Sequence, residues 1–274
     1  MKTHVPYMLI FALLVLLMSG CNASKPATLS PETSSIATEP VEVPMKTVYL
    51  PLTEIYTYAG GETKTITYVY DENLHLTAIN HGIGPNGDEL ICVVSCDSYG
   101  RVTQIDHAGS SRNSQKFTYD DFWRIASLED KYTTTQYIYS PDGHLEKLNS
   151  SSGWNEVYTY ENGLLAETAL YNTKGEKETW ITYTYDDQGR IIKKQQCSAG
   201  CEPEVGLYTY SDDGLSYTLE FGGATQVFTY DAKGNLVSKE YISSYFSYTC
   251  VYTYQQIEIP ANLQWTPYQD NYCN

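Results

Sequence analysis

Short stretches in which aromatic and polar residues alternate recur along the chain, and each one runs into a turn. In Tyr158-Thr159-Tyr160 a period of two places both tyrosines on one face of a strand and Thr159 on the other. The turns that follow read DDQG at 186–189, SPDG at 140–143 and DAKG at 231–234. Asp or Ser caps such a turn and Gly supplies a positive φ. The pattern predicts tandem β-hairpins with a type I turn and a bulge.

The segment after each turn has a different spacing. In HLEKL at 144–148 the apolar residues Leu145 and Leu148 are three positions apart, and RIASL at 124–128 and RVTQI at 101–105 repeat this spacing. Strict alternation would place such residues on opposite faces of a strand. The spacing therefore indicates either a β-bulge or a sheet that is apolar on both faces.

The last aromatic position before each turn sets the period of the chain. Eight intervals separate Tyr70 from Tyr254, with a mean length of 23 residues, which is typical of a repeat array. The positions are Tyr70, Cys96, Tyr119, Tyr139, Tyr160, Tyr185, Tyr210, Tyr230 and Tyr254. A single hairpin is marginal in water, so we expect these side chains to form a cross-strand ladder, with hydroxyl groups at its rim in contact with water.

The repeated unit resembles the RHS or YD repeat, in which Tyr-Asp is followed by two variable residues, Gly, a polar residue and an aliphatic one. Residues 185–191 match this pattern throughout and residues 230–236 match it closely. Cys96 departs from it, and Phe122 and Trp123 fill the turn before Arg124. The resemblance implies an all-β fold of tandem antiparallel hairpins over residues 48–258, forming one long curled sheet or an open barrel-like array. Residues 259–274 are then a tail or cap.

The composition of the chain limits the classes of partner that the protein can bind. Aromatic residues make up 14% of the chain, with 27 Tyr against 4 Trp, and the formal net charge is −16. Such a charge repels phosphate backbones and anionic bilayer surfaces, so we expect no nucleic-acid partner.

The first residues indicate export. Lys2, an apolar run over residues 7–18 and the small residues Ser19 and Gly20 precede Cys21. The run is too short to span a membrane and is typical of a signal peptide over residues 1–20. LLMSGC at 16–21 resembles the lipobox of bacterial lipoproteins, which implies a lipid on Cys21 and an extracytoplasmic location at a bacterial membrane. The alternative is a plain signal peptide with an incidental Cys21. Residues 21–47 are rich in Ser, Thr and Pro and are expected to be a disordered linker.

The other six cysteines are even in number, which in an exported chain suggests disulfides. Cys92 and Cys96 lie in one strand-like stretch and are too far apart to pair. Cys197 and Cys201 flank a Gly and can close a loop, and Cys273 can reach Cys250. The alternative is a set of unpaired buried thiols. Neither pair has the spacing of a zinc finger, and we expect no metal and no other cofactor.

The sequence contains few candidate catalytic residues or motifs. The chain has no phosphate-binding loop, nucleophile elbow or zinc-protease helix. His81 and His107 lie in expected loops and could meet Asp88 or Asp106, but solvated loop histidines are the simpler interpretation. The sequence therefore favours a non-enzymatic protein.

Two classes of function remain beside an uncharacterised enzyme. A binding or adhesion module for carbohydrate or protein would use the variable loops, where Trp154 and Trp180 are the candidate ligand-stacking residues. A structural or assembly module of the cell envelope would use the sheet edges. In the first case the two tryptophans contact a ligand, and in the second they pack over the sheet ends.

Overall fold

The structure is a computed structural model that describes residues 44–83, 88–107 and 114–260. The described residues contain eighteen β-strands joined by short connections. The strands are β1 (Met45–Tyr58), β2 (Thr63–Tyr70), β3 (Leu76–Ile83), β4 (Asp88–Cys96), β5 (Val102–His107), β6 (Gln115–Tyr119), β7 (Ile125–Glu129), β8 (Thr134–Tyr139), β9 (Leu145–Ser150), β10 (Asn155–Glu161), β11 (Leu164–Tyr171), β12 (Lys177–Tyr185), β13 (Ile191–Ser198), β14 (Glu204–Tyr210), β15 (Ser216–Phe221), β16 (Ala224–Tyr230), β17 (Leu236–Ile242) and β18 (Ser247–Pro260).

Each strand pairs antiparallel with the strands before and after it in the chain, so the all-β class and the tandem hairpins are confirmed. The curled sheet expected from the sequence closes into a ring, because β1 pairs with β18 as well as with β2. The register of the closing pair runs from Met45 opposite Pro260 to Tyr58 opposite Tyr248. The strand that closes the ring precedes the first Tyr-Asp phrase, so counting the phrases did not reveal it.

The tyrosine face of the sheet is the inner face of the closed ring. Tyr68 and Tyr158 are 6% and 5% exposed, whereas Thr159, next to Tyr158, is exposed. On β4 the buried Cys92 and Val94 alternate with the exposed Val93 in the same way. The alternation expected from the sequence is confirmed, and it sorts each strand into inner and outer residues.

A β-bulge explains the three-residue spacing after the turns. Ile138 lies opposite Lys147 and Tyr139 lies opposite Leu145, so Glu146 is an extra residue in β9. The extra residue restores the alternation, and Leu145 and Leu148 both face the side of their tyrosine partners. Similar register shifts occur in the β4–β5, β6–β7, β12–β13 and β16–β17 pairs.

The turns that follow the Tyr positions all lie at one end of the ring, which we call the YD rim. In the turn at 186–190, Gly189 N–H donates to Asp186 O, and Asp186 Oδ1 accepts from the backbone N–H groups of Gln188 and Arg190. These N–H groups and the Arg190 side chain hold the pKa of Asp186 below its usual value. Gly189 and Gly234 have φ of +76° and +87°, so the predicted left-handed glycines are confirmed.

The tyrosines before these turns join each hairpin to the one before it. Their hydroxyls donate to backbone carbonyls on the preceding strand at 2.7 to 2.9 Å, rather than to water as the sequence suggested. The pairs are Tyr70 to Pro51, Tyr119 to Val102, Tyr139 to Ile125, Tyr185 to Leu165, Tyr210 to Ile191 and Tyr254 to Leu236. Cys96 replaces Tyr and still donates its thiol to Leu76 O, at 3.5 Å.

The polar residue after each turn strengthens the same joint. Arg190 Nε donates to Asp186 Oδ2 at 2.8 Å, and its guanidinium lies 4.5 Å from the ring centroid of Tyr210 in the next hairpin. Arg101 and Arg124 contact the next tyrosine in the same manner. The units that contain Arg101, Arg124 and Arg190 thus have a cation–π contact to the next hairpin.

We expect Tyr185→Phe to lower the free energy of unfolding by about 1 kcal/mol, because the carbonyl of Leu165 loses its donor in a largely buried place. Chemical denaturation measures this change. Tyr245→Phe is the matched control, since Tyr245 is 97% exposed and its hydroxyl is bonded to water in both states. An equal loss in the two variants would contradict the structural role of the Tyr185 hydroxyl.

Candidate functional site

The closing seam between β1 and β18 contains a buried carboxyl group. Glu54 is 5% exposed and accepts hydrogen bonds from Tyr56 Oη, at 2.8 Å, and from Tyr68 Oη. Tyr252 lies directly opposite Glu54 in β18, and Cys250 lies opposite Tyr56. Side chains of β1, β2 and β18 therefore form one polar cluster on the inner face of the ring, which we call the seam cluster.

The surroundings of Glu54 keep the neighbouring tyrosine hydroxyls and the Cys250 thiol in their neutral, protonated forms. Burial, followed by the negative charge of Glu54, raises the pKa values of Tyr56 and Tyr252 well above the ordinary phenol value. The same two causes raise the pKa of Cys250 from 9.0 to about 11. Cys250 is therefore a protonated thiol at neutral pH, and a protonated thiol is a poor nucleophile. The geometry of the cluster suits a structural hydrogen-bond network.

The cysteines do not form the expected loop-closing bridge. Cys197 and Cys201 are free thiols, the first buried in β13 and the second exposed in the turn after it. Cys201 N–H donates to Ser198 O, so a backbone turn closes this segment. Cys250 is also a free thiol, and its suggested partner Cys273 lies outside the described residues. Burial raises the pKa of Cys96 to about 11. Cys197 and Cys250 are unpaired buried thiols, which is the alternative to disulfides that the sequence left open.

The two candidate tryptophans lie in different environments. Trp154 ends the 151–154 connection at the rim opposite the YD rim and is half-buried. Trp180 does not lie in a loop, as the sequence had suggested, but inside β12 between the buried Ala169 and Cys197 of the adjacent strands. It projects on the face opposite Tyr183, so we infer that its ring covers these two small side chains. The lipidation candidate Cys21 lies outside the described residues.

The register does not place either histidine directly opposite a suggested acid, since Asp88 lies opposite Gly82 and Asp106 lies opposite Val93. His81 and His107 are strand residues of β3 and β5, on either side of β4, and not loop residues. In the registers of these pairs, His81 lies opposite Glu89, and His107 lies opposite Cys92. Cys92 Sγ is 3.3 Å from His107 Nδ1, and Cys92 is completely buried. Burial of the thiol argues against access by a substrate.

Three consecutive turns of the YD rim carry large apolar residues that the sequence analysis did not single out as a site. They are Leu74 in the β2–β3 turn, Tyr99 in the β4–β5 turn, and Phe122 and Trp123 in the β6–β7 turn. Phe122 is 72% exposed and Tyr99 is 54% exposed. The sequence signal was the large residue at a position that Gly usually fills, which is visible in Trp123 as a departure from the repeat.

Within the described ranges, no three His, Cys, Asp or Glu side chains come together in a way that would hold a metal ion. In the same ranges, no helix has the length and apolar character needed to cross a bilayer.

The closed ring of Tyr-Asp hairpins defines an RHS or YD-repeat protein, and the resemblance noted in the sequence is confirmed. The sequence model of the Teneurin YD-shell family matches residues 88–259, which is more than half of the chain. The chain therefore belongs to the Teneurin YD-shell family.

Solved structures with a similar fold are distant in sequence. A porin-like protein from Bacteroides uniformis is 14% identical, with a TM-score of 0.43, over 74% of this chain and 96% of that one. TcdB2-TccC3 without its hypervariable C-terminal region is 11% identical, with a TM-score of 0.36, over 67% of this chain and 14% of that one. The Photorhabdus luminescens Tc holotoxin pore is 11% identical, with a TM-score of 0.32, over 69% of this chain and 14% of that one. This chain thus spans about one seventh of the toxin chains. No curated protein matches the sequence significantly.

The raised pKa of Cys250 predicts a loss of stability in alkali. A thiol whose pKa is raised in the folded state contributes stability that is complete below pH 9 and is lost as the pH rises to about 11. Between these limits, the free energy of unfolding should fall by about 2 kcal/mol more in the parent than in Cys250→Ala. Denaturation at a series of pH values measures both slopes.

Cys201→Ala is the control for that comparison, because Cys201 is exposed and its curve should run parallel to that of the parent. Equal slopes for the parent and Cys250→Ala would show that burial of Cys250 does not govern the alkaline loss.

Proposed function

We propose that this protein is a non-enzymatic lipoprotein, held through Cys21 on the extracytoplasmic side of a bacterial membrane, whose closed YD sheet presents a binding surface for carbohydrate or protein. The YD-shell family provides the structural part of this function, a self-supporting β-shell. The lipid anchor is supported by LLMSGC at 16–21 and by the linker composition that follows.

The observation that carries the binding function is a difference between the two rims. At the YD rim, tyrosines, capping Asp residues and Arg side chains are occupied in joining the hairpins. At the opposite rim, the connections at 130–133, 151–154, 172–176, 199–203 and 243–246 differ in sequence from one another, although capping side chains such as Asp130, Asn172 and Ser243 close several of them. Because the side chains between the capping positions are not needed to close the turn, they can vary to suit a ligand.

The opposite rim also carries exposed aromatic residues. Tyr132 is 73% exposed, and Tyr245 and Phe246 are 97% and 48% exposed. Aromatic side chains bind sugar rings and protein surfaces with little loss of conformational entropy. Trp154 belongs to this rim and is the candidate anchor for the ligand.

The ends of the ring support the same assignment. β1 begins and β18 ends beside the YD rim, since Met45 pairs with Pro260 beyond the level of Tyr254. In this proposal the chain from Cys21 joins the ring at the YD rim, and the opposite rim faces away from the membrane. If residues 22–44 form the flexible linker that their composition predicts, their root-mean-square span is roughly 25 Å.

An assembly module that polymerises through sheet edges is the second class considered. Every one of the eighteen described strands has a neighbour on both sides, so the ring offers no edge strand for pairing. The observation favours recognition through loops over assembly through edges.

The lipid anchor is tested with Cys21→Ala. This variant should lose labelling by a palmitate analogue and should leave the membrane fraction, because the acyl chains provide the membrane affinity. Labelling and fractionation of cells that express the parent and the variant measure this. Unchanged labelling of Cys21→Ala would overturn the anchor.

The binding rim is tested with a screen of the protein against immobilised neutral glycans, peptidoglycan and surface proteins. Trp154→Ala should weaken binding of the captured ligand by more than about 1 kcal/mol and leave thermal unfolding unchanged. Trp180→Ala is the contrasting variant, and it should lower stability because it uncovers Ala169 and Cys197. If Trp154→Ala lowers stability and leaves binding intact, the site lies elsewhere.

A further inference from the structure

Most of the large apolar side chains in the turns of the YD rim lie in one sector. Leu74, Tyr99, Phe122 and Trp123 occupy three consecutive turns, beside the exposed acids Glu72 and Asp121, and together the four apolar residues are called the apolar sector. Apart from Leu215, which is 36% exposed, the tips of the later turns are mainly polar. They carry Asp142, Asp187, Gln188, Asp212, Asp213 and Lys233. The repeat unit itself does not require this difference, since both kinds of turn make the same backbone hydrogen bonds.

Two members of the sector are held in an unfavourable backbone conformation. Leu74 and Trp123 have φ of +65° and +69°, at the turn position where Gly143 and Gly189 stand in later hairpins. Large side chains rarely adopt this region, and local strain of this kind is typical of functional positions. Gly would satisfy the turn without strain, so the turn does not account for the apolar side chains.

Contacts within the sector hold its rings in place, and ion pairs neutralise two of the nearby acids. The ring centroid of Trp123 lies 4.8 Å from that of Tyr99, and the Arg101 guanidinium lies 4.6 Å from Trp123. Arg101 and Arg124 are each paired with the Asp of their own turn. The result is a rigid apolar surface at the tips of the turns, with Phe122 the most exposed side chain.

The position of the sector relative to the linker points to its partner. The β6–β7 turn is five strands from β1, which corresponds to roughly 25 Å along the rim. This distance is comparable with the reach of residues 22–44, which join the ring at Met45 on the same rim. A chain tethered to a surface meets it at a high effective concentration, so weak contacts are enough to dock it.

We propose that the apolar sector docks into the interfacial region of the bilayer that carries the lipid anchor. This inference rests on the proposed lipidation of Cys21. Trp and Tyr are enriched at membrane–water interfaces because one end of each ring is apolar and the other polar. The acidic tips of the later turns stay in water, so the ring tilts and its opposite rim points outward. This contact adds to the membrane affinity that the acyl chains provide, and it offsets the repulsion that the net charge of −16 causes at an anionic surface.

Depth-dependent quenching of tryptophan emission tests the docking. The full lipidated chain, with Trp154, Trp180 and Trp265 replaced by Phe, retains Trp123 as its reporter and is inserted into phosphatidylcholine vesicles. Brominated phosphatidylcholine should quench Trp123. Phe122→Gln and Tyr99→Gln should remove most of this quenching, since each replaces an inserted ring by a polar side chain.

Tyr132→Gln is the matched control, because Tyr132 is as exposed as Phe122 and lies at the opposite rim. It should leave the quenching unchanged. Should the single-tryptophan chain fail to fold, the difference in quenching between the parent and Trp123→Gly gives the same measurement. Trp123→Gly should also unfold at the same or a higher temperature, and a clearly lower midpoint would overturn the strain argument.

Flotation of the vesicles separates the two proposals. A chain that floats with the vesicles and shows no quenching of Trp123 overturns docking and leaves the lipid anchor standing. A chain that does not float overturns the anchor and the docking with it. If Trp123 emission responds to chitotetraose or cellohexaose without vesicles, and bromolipid does not quench it, the sector is a sugar site and docking is wrong.

Discussion

The hydrogen bond from a tyrosine hydroxyl to the carbonyl of the preceding hairpin is the interaction on which the ring depends. A lone hairpin buries too little surface to be stable in water, so each one must be joined to the next. Tyr185 reaches Leu165 across that joint, and Arg190 contacts Tyr210 across the following one. Because the bond ends on a backbone atom, it is insensitive to the side chain at the acceptor. At Cys96, where the donor itself differs, the thiol keeps a contact with the carbonyl of Leu76.

At the closing seam, the contact between neighbouring hairpins is replaced by a longer strand pair, β1 with β18. Where the ring ends, β1 and β18 continue past the level of Tyr254 instead of forming a Tyr-Asp turn, and they pair over their full length. Glu54 is buried in this seam, and it is stabilised there by the hydroxyl groups of Tyr56 and Tyr68. A closed ring has no unpaired edge strand, which protects a β-protein from edge-to-edge association.

The repeat divides the molecule into a recurring architecture and positions open to other uses. Side chains on the inner face and the capping residues at both rims hold the sheet. The tips of the turns at either rim are not needed for this purpose. Departures from the repeat, such as Trp123 and Leu74, are therefore the places where selection for partners or surfaces is most visible.

Much of the fold follows from the sequence alone, because strand alternation, turn chemistry and period are local properties. The tyrosine face and the left-handed Gly189 are of this kind. Only the register decides between a β-bulge and a sheet that is apolar on both faces, since Leu145 and Leu148 have the same spacing in either case. Closure, the strand position of Trp180 and the absence of a Cys197–Cys201 bridge depend on which distant strands meet, and residue spacing carries no information about that. The apolar sector could not be predicted for the same reason. Its residues lie far apart in sequence and become neighbours only because consecutive turns share one rim.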